Sequence, residues 1–172
     1  MTVFAVWLGW KVEGARRYRE AIRAIEAVGG GYVARLDRSK AFLATAKRLG
    51  YDEKTFYDVR GLGFGQNEYG YDPKEPVGDE TLGSLAEHIA LFTNMETLEL
   101  SDPAITNRGI AALPPLPNVT TIYLRGTGVS DGLDHALQRF PGLTKLVLTG
   151  TGVTAAGIDE IRRRFPDCTI ER

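Results

Sequence analysis

The sequence predicts an α/β repeat fold in which strand, turn and short helix recur and stack side by side around a short parallel sheet. Three observations predict it. Segments beginning at Met95, Val119 and Leu143 repeat at intervals of 24 residues. In each, an apolar residue is followed by others three and five positions on: Met95, Leu98 and Leu100; Val119, Ile122 and Leu124; Leu143, Leu146 and Leu148. Alternation at the end of each triplet marks a short strand with one buried face. Beyond each triplet stands a branched apolar residue (Ile105, Val129, Val153), and then Leu113, Leu137 or Ile161 at helical distance. Such a unit cannot bury its apolar face alone, so neighbours must share one continuous core.

Taken in order, residues 1–58 show no repeat and read as an N-terminal helical capping segment, which a stacked array needs to cover its raw apolar end. From Lys11 to Val28, Val12, Ala15, Tyr18, Ile22 and Ile25 fall on one helical face, opposite arginines and glutamates. Gly29 to Gly31 end that helix. Tyr32 to Leu36 reads as a strand, Ser39 to Leu49 as a helix capped by Ser39, and Asp52 to Tyr57 as a helical turn. A degenerate unit occupies 59–94, with Val59, Leu62 and Phe64 as its strand, Val77, Leu82 and Leu85 behind, and an insertion at QNEYGYDPKEP. Full units follow at 95–118, 119–142 and 143–167, and Cys168 with Ile170 opens a terminal strand at 168–172. The whole reads as one continuous domain.

The composition narrows the function. With 172 residues, 43% hydrophobic and 25% charged, the chain has the size and make-up of one globular domain. Its 21 basic and 22 acidic residues nearly cancel, which argues against nucleic acid as partner. One cysteine, Cys168, excludes an internal disulfide and a multi-cysteine metal site. The apolar run Val3 to Leu8 is too short to span a bilayer alone. Yet Trp7 and Trp10 followed by Lys11, Arg16, Arg17 and Arg19 have the order of an aromatic belt and basic flank. Two readings of residues 1–19 fit: contact with a membrane or larger complex, or a segment that packs on the core.

The L-x-x-L-x-L strand and the unit length resemble the leucine-rich repeat. The phrases RGTGVSDGL and TGTGVTAAGI look like the G-T-x-V-T-D-A-G-L turn of a bacterial leucine-rich-repeat group, many of whose members carry an N-terminal membrane helix, and FPDCTI resembles the way such chains end. The resemblance covers roughly the last two thirds of the chain. It implies a right-handed solenoid and a protein-interaction module acting through its concave sheet face. One departure stands out: where the usual repeat has Asn or Cys bonding the turn backbone, this chain has Pro103, Thr127 and Thr151. A threonine hydroxyl can serve a turn; Pro103 cannot, so the first full turn must be held otherwise.

Candidate chemistry is sparse. Gly61, Gly63 and Gly65 resemble a phosphate loop only in being glycines, with no Lys-Ser or Lys-Thr after them. On the face opposite Leu62 and Phe64 they make a flat patch that a ligand or partner backbone could approach. Asp72, Glu75, Asp79 and Glu80 lack the alternating spacing that wraps calcium. His88 and His135 fall in different units without a partner, Cys168 fits a buried strand position, and Arg162 to Arg164 suit a helix C-terminus. No acid, base or nucleophile pair is placed by a motif, so neither an enzyme nor a cofactor is expected. Alternation instead turns Thr97, Glu99 and Ser101, Thr121, Tyr123 and Arg125, and Lys145, Val147 and Thr149 onto the concave face. Tyr123 as apolar anchor and Arg125 as carboxylate clamp, flanked by Glu99 and Lys145, make this the expected contact surface for a protein or peptide.

Overall fold

The computed structural model describes residues 2–36, 57–65 and 76–172, with side chains from Glu13 onward except those of Leu36 and Tyr57. The elements are α1 (Thr2–Ala27), β1 (Gly31–Leu36), β2 (Tyr57–Gly65), α2 (Asp79–Ile89), β3 (Thr97–Ser101), α3 (Asn107–Ala112), β4 (Thr121–Tyr123), α4 (Leu133–Ala136, continued by a 3-10 turn), β5 (Lys145–Val147), α5 (Ala155–Arg164) and β6 (Thr169–Glu171). The six strands form one sheet in sequence order, parallel from β2 onward. The fold is therefore α/β with a mostly parallel sheet. The expected helix at Ser39–Leu49 and the turn from Asp52 lie outside the described residues, whereas Tyr57 opens β2.

Register follows the sequence spacing. Leu62, Leu98, Ile122, Leu146 and Ile170 stand side by side across β2 to β6, and Phe64 lies beside Leu100. Leu98, Ile122 and Leu146 are each 0% exposed. Behind them α2 supplies Leu82, Leu85 and Ile89, α3 Ile110, α4 Leu133 and α5 Ile158 and Ile161, all in the same buried cluster. Among the described residues, helices thus cover one face of the sheet and none covers the other.

The N-terminal end is built differently. Helix α1 continues from the Lys11–Val28 pattern back to Thr2, and its core-facing stripe is Ala21, Ile22 and Ile25, with Tyr18 partly buried. Strand β1 pairs antiparallel with β2, and the register slips at Val33/Ala34, leaving Arg60 as the extra residue of a bulge. Tyr18 ties helix to sheet there. Its hydroxyl oxygen accepts the Val59 N–H at 2.9 Å, and its ring meets Phe92 edge-on at 5.2 Å. Burial pushes the phenol up to about 12, even though the Val59 hydrogen bond pulls the other way.

Consecutive units are laced by side chains where their helices begin. Asp79 accepts from the Thr106 N–H and hydroxyl at 2.7 and 2.6 Å. Asp131 accepts from the same groups of Thr154, both at 2.8 Å. Between these, Asn107 accepts from Ser130 N–H and donates to the carbonyls of Ser130 and Asp131. Thr106 and Thr154 also cap their helices, accepting from the N–H of Arg108 and of Gly157. A β-carbon on Gly109 or Gly157 would lie 2.3 or 2.2 Å from the Asp79 or Asp131 oxygen, so the third residue after each threonine must be bare.

The turns after the strands answer the question raised by Pro103. The Thr127 and Thr151 hydroxyls donate to the carbonyls of Leu124 and Leu148, each at 2.8 Å. In the first full unit the buried Asp102 takes over: its carboxylate accepts from Ala104 N–H and reaches back to Val77 N–H, both at 2.9 Å.

Candidate binding face

Alternation along β3 to β5 sends every second side chain away from the core, and the structure brings most of the expected contact residues onto the open face. Thr97, Thr121, Tyr123, Arg125 and Lys145 are half-buried there, Ser101 likewise, and Thr149 is exposed. Two expectations need correction. Glu99 and Val147 point to this face but are 8% and 1% exposed, so neither offers a free contact. Val147 stands in register between Tyr123 and Glu171, beside the bridge from Lys145 to Glu171 at 2.7 Å. The same bridge holds the Lys145 ammonium above its ordinary pKa and occupies it. Glu99 stands between Gly63 and Tyr123.

Tyr123 and Arg125 form one unit. The Arg125 guanidinium lies 4.7 Å from the centre of the Tyr123 ring, a cation-π contact, and the Lys145 ammonium lies 6.0 Å from it. Arg125 approaches Glu99 only to 3.9 Å, beyond hydrogen-bond reach. Its side chain is 40% exposed, so part of the guanidinium's donor set meets solvent.

Beside this pair the face sinks into a cleft of about 470 Å³. Strand β2 lines it at Gly61 and Gly63, both of them buried. One wall is β1, with Gly31, Val33 and Arg35; the other is Thr97, Glu99, Tyr123 and Arg125. Arg60 and Glu96 close one end. Arg60 is held there by Asp58 at 2.8 Å and by Glu96, the Glu96 hydrogen bond being the main reason its pKa is raised, while Asn94 donates to the other Asp58 oxygen.

Of the residues expected from sequence, Thr97, Glu99, Tyr123 and Arg125 line the cleft with Gly61 and Gly63. Ser101, Thr121, Lys145, Val147 and Thr149 lie outside its lining. Val33, Arg35, Arg60 and Glu96 were missed. The signal for Val33 was present, since a strand at Tyr32–Leu36 must alternate, but nothing local shows which strand it pairs with. Val33 is 58% exposed.

The remaining candidates fall elsewhere. Asp72 and Glu75 lie outside the described residues, while Asp79 is engaged with Thr106. His135 and Arg164 both bond the buried Asp134, at 3.0 and 3.1 Å, so Arg164 ties α5 to α4 as well as standing at a helix end. Cys168 is buried, and burial raises its thiol pKa, which disfavours thiolate. Among the described residues, no three His, Cys, Asp or Glu side chains are grouped to hold a metal ion. No described helix is long and apolar enough to cross a membrane. No family model matches the chain, and no curated protein matches it either.

Proposed function

We propose that the chain is a leucine-rich-repeat module, a short right-handed solenoid capped by its N-terminal helical segment, that binds a peptide or protein segment on the open sheet face. The recurrence of one strand register and one side-chain lacing across successive units supports the repeat assignment. The observation that carries the function is the cleft beside Tyr123 and Arg125: it is within the size range of ligand sites and is walled by an aromatic ring and a guanidinium, residue types enriched in binding hot spots. Selecting peptides from a displayed random library and measuring them against Tyr123→Ala/Arg125→Ala tests the reading. Loss of affinity of at least tenfold is expected; unchanged binding by every selected peptide would refute it.

A second reading concerns α1. Its core-packed part begins near Tyr18, and Glu13, Gly14, Arg16 and Arg17 just before it are exposed. The apolar run Val3 to Leu8 lies on the same helix, upstream of these exposed residues. In this reading that run docks to a membrane surface or a larger complex, with the arginines toward anionic headgroups. Flotation with anionic vesicles, comparing the full chain with one lacking residues 1–12, checks it. Equal flotation of the two would remove it.

A further inference from the structure

The sheet has two edges, and they are finished differently. At one stands β6, three residues long, with Glu171 bridged to Lys145 and Arg172 following it. At the other stands β1, six residues long and paired to β2 on its inner side. An unpaired row of N–H and C=O groups is a template for another chain, so edges are commonly blunted by brevity, by proline or by charge, lysine above all. Strand β1 (GYVARL) is long, holds no proline or lysine and carries Arg35 as its one charge; the bulge residue Arg60 belongs to β2, so β1 itself runs unbroken. Among the described residues no strand pairs with its outer side.

Two side chains of this strand meet solvent on the same face. Val33 is 58% exposed and is the only exposed large apolar side chain among the described residues. Arg35, two positions on, is also exposed and has no acidic partner among the described residues. The reason is geometric: Asp58 stands in register beside Arg35, but one of its oxygens takes Arg60 at 2.8 Å and the other Asn94 at 3.0 Å. Tyr32 and Ala34 point the other way and pack against the core. Strand β1 thus presents an apolar spot and an unanswered cation at the spacing of alternate strand residues, roughly 7 Å.

We propose that β1 receives an extended acidic peptide as an added strand along its outer edge, with an apolar side chain against Val33 and a carboxylate, two residues away on the same face, on Arg35. The backbone ladder supplies attachment, and the alternate side-chain positions supply selection. Charge favours a foreign peptide over a second copy of the chain: β1 holds no acidic residue, so two β1 strands paired together leave both arginines unanswered. Val33 and Arg35 form the cleft wall on the far side from Tyr123 and Arg125, and the edge site does not rest on the reading of those two residues.

The test is amide-resolved NMR titration of the full chain with acetyl-SETVTES-amide, whose two glutamates flank its valine at alternate positions and so suit either strand direction. Shifts are expected from Tyr32 to Arg35. The lysine counterpart, acetyl-SKTVTKS-amide, should bind roughly tenfold more weakly, and Arg35→Gln should erase most of that difference. Val33→Thr, a β-branched exchange at an exposed position, should weaken the glutamate probe several-fold while leaving the melting temperature within a few degrees. Strand addition has its own signature: alternate amides face alternate edges, so a probe N-methylated at valine and both glutamates should differ in affinity by roughly tenfold from one N-methylated at both threonines. No shifts in β1, equal binding of the glutamate and lysine probes, or indifference to where the methyl groups sit each overturn the proposal. A concentration-dependent dimer in sedimentation that protects the β1 amides would name a second copy as the occupant and overturn it as well. None of these failures touches the Tyr123 and Arg125 reading, which is judged by its own variants.

Discussion

The two ends of the sheet solve the same problem in opposite ways. Over β4 to β6 the open face is closed by long side chains: Tyr123 under Arg125, Val147 buried, and Lys145 bridged to Glu171. Over β1 and β2 the positions without side chains, Gly31, Gly61 and Gly63, line the cleft and are themselves buried. The helix side differs in parallel. The full units are laced by Asp79, Asn107 and Asp131, whereas the N-terminal end is fastened by Tyr18 at a bulge. Repetition builds a frame, and the departure from it makes the concavity.

The comparison can be broken hardest in the shared core. Ile122→Ala, at a wholly buried central position, is expected to cost about 3 kcal/mol in denaturant unfolding, through lost burial and an unfilled cavity. Asp79→Ala removes the first lacing and leaves the Thr106 N–H without its acceptor, for roughly 2 kcal/mol by the same measurement. Tyr18→Phe tests the other fastening. It leaves Val59 N–H without its acceptor, a cost of about 1 kcal/mol. It also changes the alkaline limb: the folded phenol titrates at about 12 against 10.0 for a free tyrosine, so its stabilisation is complete below pH 10.0 and is lost as pH rises toward about 12. Stability of the wild type should fall more steeply than that of the Phe variant across that window. Gly61→Ala should be the mildest, within about 0.5 kcal/mol, because an added β-carbon would meet Val33 and Thr97 at ordinary contact distances.

How far the sequence speaks follows from how local each cause is. Met95, Leu98 and Leu100 with their copies set strand, register and core, since the same spacing recurs and each copy has to match its neighbour. Thr127 and Thr151 were legible as turn hydroxyls, and Pro103 announced that something else must act; only the fold shows that Asp102 does so while also reaching Val77, 25 residues back. Tyr123 with Arg125 was legible from alternation. The burial of Glu99 and Val147 was not, because it depends on how the long side chains of adjacent columns settle. The antiparallel return of β1 was least legible of all: it joins residues separated by the stretch 37–56, and neither composition nor periodicity encodes which edge a lone strand will choose. The cleft belongs to that choice.

The lacing of the units has a direction. Asp79, Asn107 and Asp131 each reach toward a residue made later, Thr106, Ser130 and Thr154, and where the next such side chain would stand the helix opens with Ala155 instead. In each of these three links a side-chain oxygen of the earlier unit accepts a backbone N–H of the later one, so the two ends of the laced array are chemically different.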